Sequence, residues 1–118
     1  MSISKTLKIF VIILAVASIP AVVFAVPQLP HLFYGTITIN GSPAPTGTVI
    51  IAKVGGVEKG RITTTVVGKY GGPGAYDSKL LVQGDISGSP EIIFTVSGVS
   101  GTPTTTFQSG EITKLDFA

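Results

Sequence analysis

The groups in this chain that could do acid–base or metal chemistry do not come in sets. His31 is the only histidine, and there is no cysteine. A catalytic triad or a histidine metal pair needs partners that one imidazole lacks. Without thiols there are no disulfides, thiolate zinc sites or thiol nucleophiles. Beside Pro30 and Leu32, His31 reads as a surface or strand-edge residue. The carboxylates Glu58, Asp77, Asp85, Glu91, Glu111 and Asp116 are scattered along the sequence. Glycoside hydrolysis would need two of them held at a set separation across a cleft, which so small a domain rarely offers. No D-x-[DN]-x-[DN]-G calcium run exists. Asp77 and Asp85 could share a cation from two loops; the alternative is that both are solvated turn residues. The expectation is a chain with no enzymatic activity, no metal and no cofactor.

Binding chemistry has more candidates. Tyr34, Tyr70 and Tyr76 are aromatics with polar tips, and Tyr70 and Tyr76 fall in a long Gly-rich loop, residues 68–77. Tyrosine gives rigid contact area at low entropic cost, so Tyr70 and Tyr76 are candidate contacts to a sugar or protein ligand. The competing reading is a tyrosine that plugs one end of the fold. Asn40-Gly41-Ser42 is a glycosylation sequon, but Asn-Gly is also a common turn pair and Pro43 hinders glycan transfer. The threonine runs 63–65 and 104–106 could carry O-glycans, although threonine is simply a good strand residue. The stretch 70–75 has no G-x-G-x-x-G spacing and no following helix, so it is no phosphate loop.

The formal charge of +2 owes its sign to Lys5 and Lys8. Beyond residue 25 there are six basic residues (Lys53, Lys59, Arg61, Lys69, Lys79, Lys114) against the six carboxylates named above. A neutral domain lacks the clustered cations on which nucleic-acid binding rests. Hydrophobic residues make up 44% and charged residues 12%, about half the usual charged share, so the chain is built to bury itself.

Residues 1–25 read as a signal peptide: two lysines, an apolar run from Ile9 to Ile19 broken only by Ser18, Pro20, and small residues Val23 and Ala25 before a cleavage site. The alternative is an uncleaved anchor, because Ile9 to Val26 is close to the shortest apolar run that spans a bilayer. Either way Lys5 and Lys8 hold the N-terminus inside and the remainder lies outside the cytoplasm, extracellular or at the cell surface. Residues 26–32, bounded by Pro27 and Pro30, read as an extended arm.

From residue 33 onward the apolar pattern has period two. Strands are expected over Leu32–Asn40, Thr48–Val54, Val57–Val67 (interrupted at Gly60), Lys79–Val82, Glu91–Ser97, Thr104–Phe107 and Glu111–Phe117, with a tight reversal at Gly55-Gly56. About seven short strands with no helical period predict an all-β fold, a two-sheet sandwich over residues 33–118. Ile37, Ile39, Ile50, Val54, Leu80, Ile92, Phe94, Val96, Leu115 and Phe117 should lie between the sheets. In the second strand Val49 and Ile51 compete with Ile50 and Val54 for the inner face.

Gly35-Thr36-Ile37-Thr38-Ile39-Asn40-Gly41-Ser42-Pro43 fits a G-x-[VI]-x-[VI]-x-G-x-P opening, followed by a glycine-led strand from Gly47 to Ala52 and a G-x-Y element, Gly68-Lys69-Tyr70. In this order, across most of residues 33–117, the chain resembles small β-sandwich modules of exported archaeal and bacterial surface proteins, akin to the carboxypeptidase regulatory-like (prealbumin-like) group. It departs from them by the insert GGPGAYD, residues 71–77. The resemblance implies Ig-like topology and a surface-exposed, non-catalytic accessory role. It implies no particular ligand. The functional expectation is a structural or adhesive cell-surface module that binds through loops or sheet edges. Its partner would be a protein or polysaccharide of the cell surface, with membrane contact only through the N-terminal segment. A carbohydrate-binding accessory domain and a pilus-like subunit that self-assembles by strand addition through the arm are the alternatives.

Overall fold

A computed structural model describes residues 28–118. The expected leader, its cleavage site and the first two residues of the arm lie outside the described residues. Among the described residues all regular structure is strand, and no helix is long and apolar enough to cross a membrane.

Alternating apolar residues and Gly-bearing turns produce eleven strands: β1 (His31–Thr36), β2 (Thr38–Ile39), β3 (Ser42–Pro43), β4 (Val49–Val54), β5 (Val57–Thr63), β6 (Lys69–Tyr70), β7 (Leu80–Val82), β8 (Glu91–Val96), β9 (Val99–Ser100), β10 (Thr105–Thr106) and β11 (Ile112–Lys114). All seven expected strands are present, and the additional ones are two-residue pieces. Three hairpins close on two-residue turns with both central residues at positive φ: Asn40-Gly41, Gly55-Gly56 and Ser97-Gly98. That geometry matches the natural twist of paired strands. It also ends the fifth expected strand at Val96, since Ser97 has a φ of 50°.

The first sheet is centred on β1. The chain's last strand, β11, pairs with it in parallel on one side, and β7 and β6 pair antiparallel on the other. The second sheet runs β10-β8-β4-β5, with β9 beside β8 next to β10. The two sheets stack with the apolar parity of each strand inside. Phe33, Ile37, Ile50, Ala52, Leu80, Ile92, Phe94, Phe107 and Phe117 are buried, and Ile39, Val54, Val96 and Leu115 pack against them. Each fully buried Ile, Leu or Phe among them contributes about 1.5–3 kcal/mol. In β4 the inner face belongs to Ile50 and Ala52, while Val49 and Ile51 stay half-buried.

Two places need a residue with no side chain. Opposite Ala52 and Lys53, β5 carries one extra residue, a bulge at Lys59 and Gly60. There the Leu81 carbonyl oxygen occupies the space a Cβ on Gly60 would need, and the Gln83 N–H donates to the Lys59 carbonyl at 3.1 Å. The interruption expected at Gly60 is thus a joint: β5 meets β7 and links the two sheets along one side. At Gly35 the Leu115 carbonyl approaches β1 in the same manner.

β1 starts at His31, so His31 and Leu32 belong to the sandwich and not to a free arm. The residues before it are tied down as well. The Gln28 side chain accepts from the Ile86 N–H, the Leu29 carbonyl from the Ser109 hydroxyl, and the Pro30 carbonyl from the Gly110 N–H.

Candidate functional site

β6 and β7 lie on one line along β1. Gly35 is opposite Tyr70 and Phe33 is opposite Leu80, so Tyr70 and Leu80 sit as though a single residue separated them. The intervening residues 71–79 are extruded from a continuous strand line. The segment GGPGAYD, residues 71–77, therefore belongs to a side loop that leaves the sheet undisturbed.

The loop's neck is closed by the Gly72 N–H donating to the Ser78 carbonyl at 3.1 Å. One exposed carboxylate, Asp77, braces the loop from within. Asp77 Oδ2 accepts from the Gly74 N–H at 2.7 Å, and the Asp77 N–H donates back to the Gly74 carbonyl at 3.0 Å. Lys79 Nζ donates to that same Gly74 carbonyl at 2.6 Å. A Cβ on Gly72 would stand 2.5 Å from the Asp77 carboxylate, which explains why the segment is rich in glycine. A nine-residue surface loop with its ends close together and a side chain bonded back to its own backbone has the character of an Ω-type loop. At its tip the Tyr76 ring is wholly exposed.

The loop stands between two shallow hollows. One, of about 460 Å³, lies against the end of β5 and is lined by Ile62, Thr65, Val66, Lys69, Pro73 and Asp77. The other, of about 410 Å³, lies on the outer face of the first sheet, where Pro73 overhangs Tyr34, Thr36, Lys69 and Lys114. Lys69 borders both. The arrangement places an exposed aromatic ring, lysine side chains and backbone groups around one hydrogen-bonded loop.

Tyr70 does not join Tyr76 there. It is fully buried, 5.3 Å from the Phe117 ring, and its hydroxyl donates to the Leu115 carbonyl. Burial, and secondarily the charge of Asp116, pushes its phenol far above the usual tyrosine range. Its role as a ligand contact is withdrawn, and the plug reading describes it. The reason is parity: Lys69 faces out of the sheet, so Tyr70 faces in.

His31 is also corrected from surface to core. It is buried, its ring stacks on Phe33 with centroids 4.0 Å apart, and Phe107 meets it edge-on. The Gln108 N–H donates to Nδ1 at 3.1 Å, which leaves the proton on Nε2, donated to Thr113 Oγ1 at 2.7 Å. Burial lowers its pKa, outweighing the opposing pull of Glu111. With both nitrogens engaged it is a structural imidazole joining β1, β11 and the loop before β11.

Asn40 is exposed at the first corner of its hairpin with a φ of 51°, the turn role weighed against glycosylation. Thr64, central in its threonine run, is buried: its hydroxyl donates to the Pro45 carbonyl at 2.9 Å and accepts from the Thr48 N–H at 3.0 Å. No group of three His, Asp or Glu side chains able to hold a metal occurs among the described residues. One oxygen of the exposed Asp77 carboxylate is bonded within its own loop, to the Gly74 N–H.

Lys69, Lys114, Tyr34 and Thr36 are lining residues that sequence reasoning did not single out as a group. Their outward parity is legible in each strand, but the pairing that brings them together spans the length of the domain. Compared with protein-family models, with curated proteins and with solved structures, the chain matches none.

Proposed function

We propose that this chain is an exported cell-surface β-sandwich module with a structural or adhesive role and no catalytic activity. It binds a surface protein or polysaccharide through the extruded loop 71–79. The observation that carries this reading is the wholly exposed Tyr76 ring, held at the tip of a loop whose neck and interior are hydrogen-bonded to themselves. An apolar ring exposed on a stiff frame loses little entropy when it is covered. The modules that this sequence resembles, the carboxypeptidase regulatory-like group, support the same surface-exposed role.

The test is binding of the protein to cell-envelope fractions, separated into polysaccharide and protein. Tyr76→Ala should weaken retention about tenfold or more without moving the thermal midpoint, as for an exposed hot-spot aromatic. Retention in the polysaccharide fraction selects the carbohydrate-binding form of the proposal. Equal retention of Tyr76→Ala and the parent sinks the loop as the binding element. Strand addition through the arm is the less favoured form. Residues 28–32 are bonded within their own domain, and donating them would open the centre of the first sheet.

A further inference from the structure

The outer face of the first sheet changes character along β1. At its start, Leu32 pairs with Leu81 on one side and Ile112 on the other. The three side chains form one rung across three strands, all pointing away from the core. Ile112 is 59% exposed and Leu81 39%. Leu29, 62% exposed, leads into this rung and lies close to Gly110, two residues before Ile112. One rung on, Tyr34 pairs with Lys114; at the next, Thr36 pairs with Lys69. Aliphatic side chains give way to an aromatic with a polar tip and then to two lysines.

The aliphatic rung lies next to Leu29, near the first described residues, and the apolar N-terminal run is close to it in sequence. That run ends at Val26, three residues before Leu29, and three residues reach about 10 Å at full extension. Pro27 and Pro30 stiffen the connection, and Gln28, Leu29 and Pro30 are hydrogen-bonded to the domain. If the run is retained as an anchor, no slack lets the domain swing away from the bilayer, and the start of β1 must meet its surface.

We propose that the face formed by Leu29, Leu32, Leu81 and Ile112 rests on the lipid bilayer in the anchored chain, with Tyr34, Lys114 and Lys69 at headgroup level. The order of side chains fits the gradient they would cross: aliphatic groups enter the acyl boundary, tyrosine favours the interface, and lysines extend their charged ends to the headgroups. Lys114 has only a loose, exposed ion pair with Asp116 at 4.0 Å, too weak to withhold it from an anionic lipid. The inference rests on retention of the leader, which the proposed function leaves open.

The chain has no cysteine, so single labels are clean. The full chain with its leader is reconstituted into phosphatidylcholine–phosphatidylglycerol vesicles, carrying an environment-sensitive fluorophore on Ile112→Cys or on Val99→Cys. Val99 is 71% exposed and lies at the far end of the domain, beside Thr38 and Ala118. Brominated lipids should quench the label at 112 several-fold more than the label at 99. Equal, weak quenching at both sites overturns the inference. Shielding at 112 that appears without lipid and grows with protein concentration assigns the rung to a second copy of the chain, and also overturns it. The mass of the protein from its native membranes separates the two failures. Loss of residues 1–25 removes the anchored premise, whereas an intact mass with an unquenched label at 112 removes the lipid contact alone.

Discussion

The seam between β1 and the chain's end and the loop 71–79 use the same three residue types to opposite ends. Each has a tyrosine, a carboxylate that accepts a backbone N–H, and a glycine with no room beside it. In the seam, a regular parallel ladder would pair the Thr36 N–H with the Leu115 carbonyl. Instead Asp116 Oδ1 takes the N–H at 2.8 Å and the Tyr70 hydroxyl takes the carbonyl. The bond from Thr36 lowers the pKa of Asp116. In the loop, Asp77 takes the N–H of Gly74 and Tyr76 touches nothing. The seam joins residues 80 and 45 apart in sequence and holds the first sheet together; the loop joins residues only three to six apart and holds only itself. The difference teaches that a motif's energetic weight is set by how much chain it closes and how deeply it is buried.

The glycines should separate the two regions most. Gly35→Ala drives a Cβ into the backbone carbonyl of Leu115, which has no free end to swing aside. A loss of about 3 kcal/mol or more in denaturant unfolding is expected, at or beyond the upper range for overpacking. Gly72→Ala meets the Asp77 side chain, which can rotate, and should cost about 1 kcal/mol or less. Equal losses would erase the distinction between the regions.

The tyrosines come next. Tyr70→Phe keeps the ring in the core and strips the Leu115 carbonyl of its donor, at a cost of about 1–3 kcal/mol. Tyr76→Phe should lie within about 0.5 kcal/mol of the parent. A neutral Tyr70→Phe would mean that the seam does not depend on the swapped carbonyl.

The smallest effect sharpens the comparison by pH. His31 belongs to the seam side, tied to Thr113 of β11. Burial lowers its pKa in the folded protein, while the unfolded chain protonates it near 6.5. The unfolded state therefore binds more protons below that value, and stability falls as pH drops through 6.5, levelling off below the lowered native pKa. Thermal midpoints measured across that window should slope downward for the parent and lie flat for His31→Gln. A parent curve without slope would show that the imidazole titrates alike in both states.

Much of this was legible beforehand. Leu115 and Phe117 alternate with Lys114 and Asp116, and that alternation correctly put the first pair inside. Asn40-Gly41 and Gly55-Gly56 marked their turns because few other residues accept two successive positive φ values. Ser97-Gly98 was harder to see, since serine carries no such preference. Tyr70 and Tyr76 looked alike because both border glycines; only the pairing of Lys69 with Thr36 sends one ring inward. His31 looked exposed because its two hydrogen-bond partners lie 77 and 82 residues away.

By itself the sequence determined the strand period, two of the tight turns and part of the inward-facing set, Ile37, Ile50, Leu80, Ile92, Phe94 and Phe117, because these follow from sterics within a few residues. The tertiary structure alone decided that the first and last strands pair in parallel, that Gly60 joins the sheets, and which tyrosine a ligand can reach. Those outcomes depend on which distant segments share a buried surface, and no local preference encodes that choice.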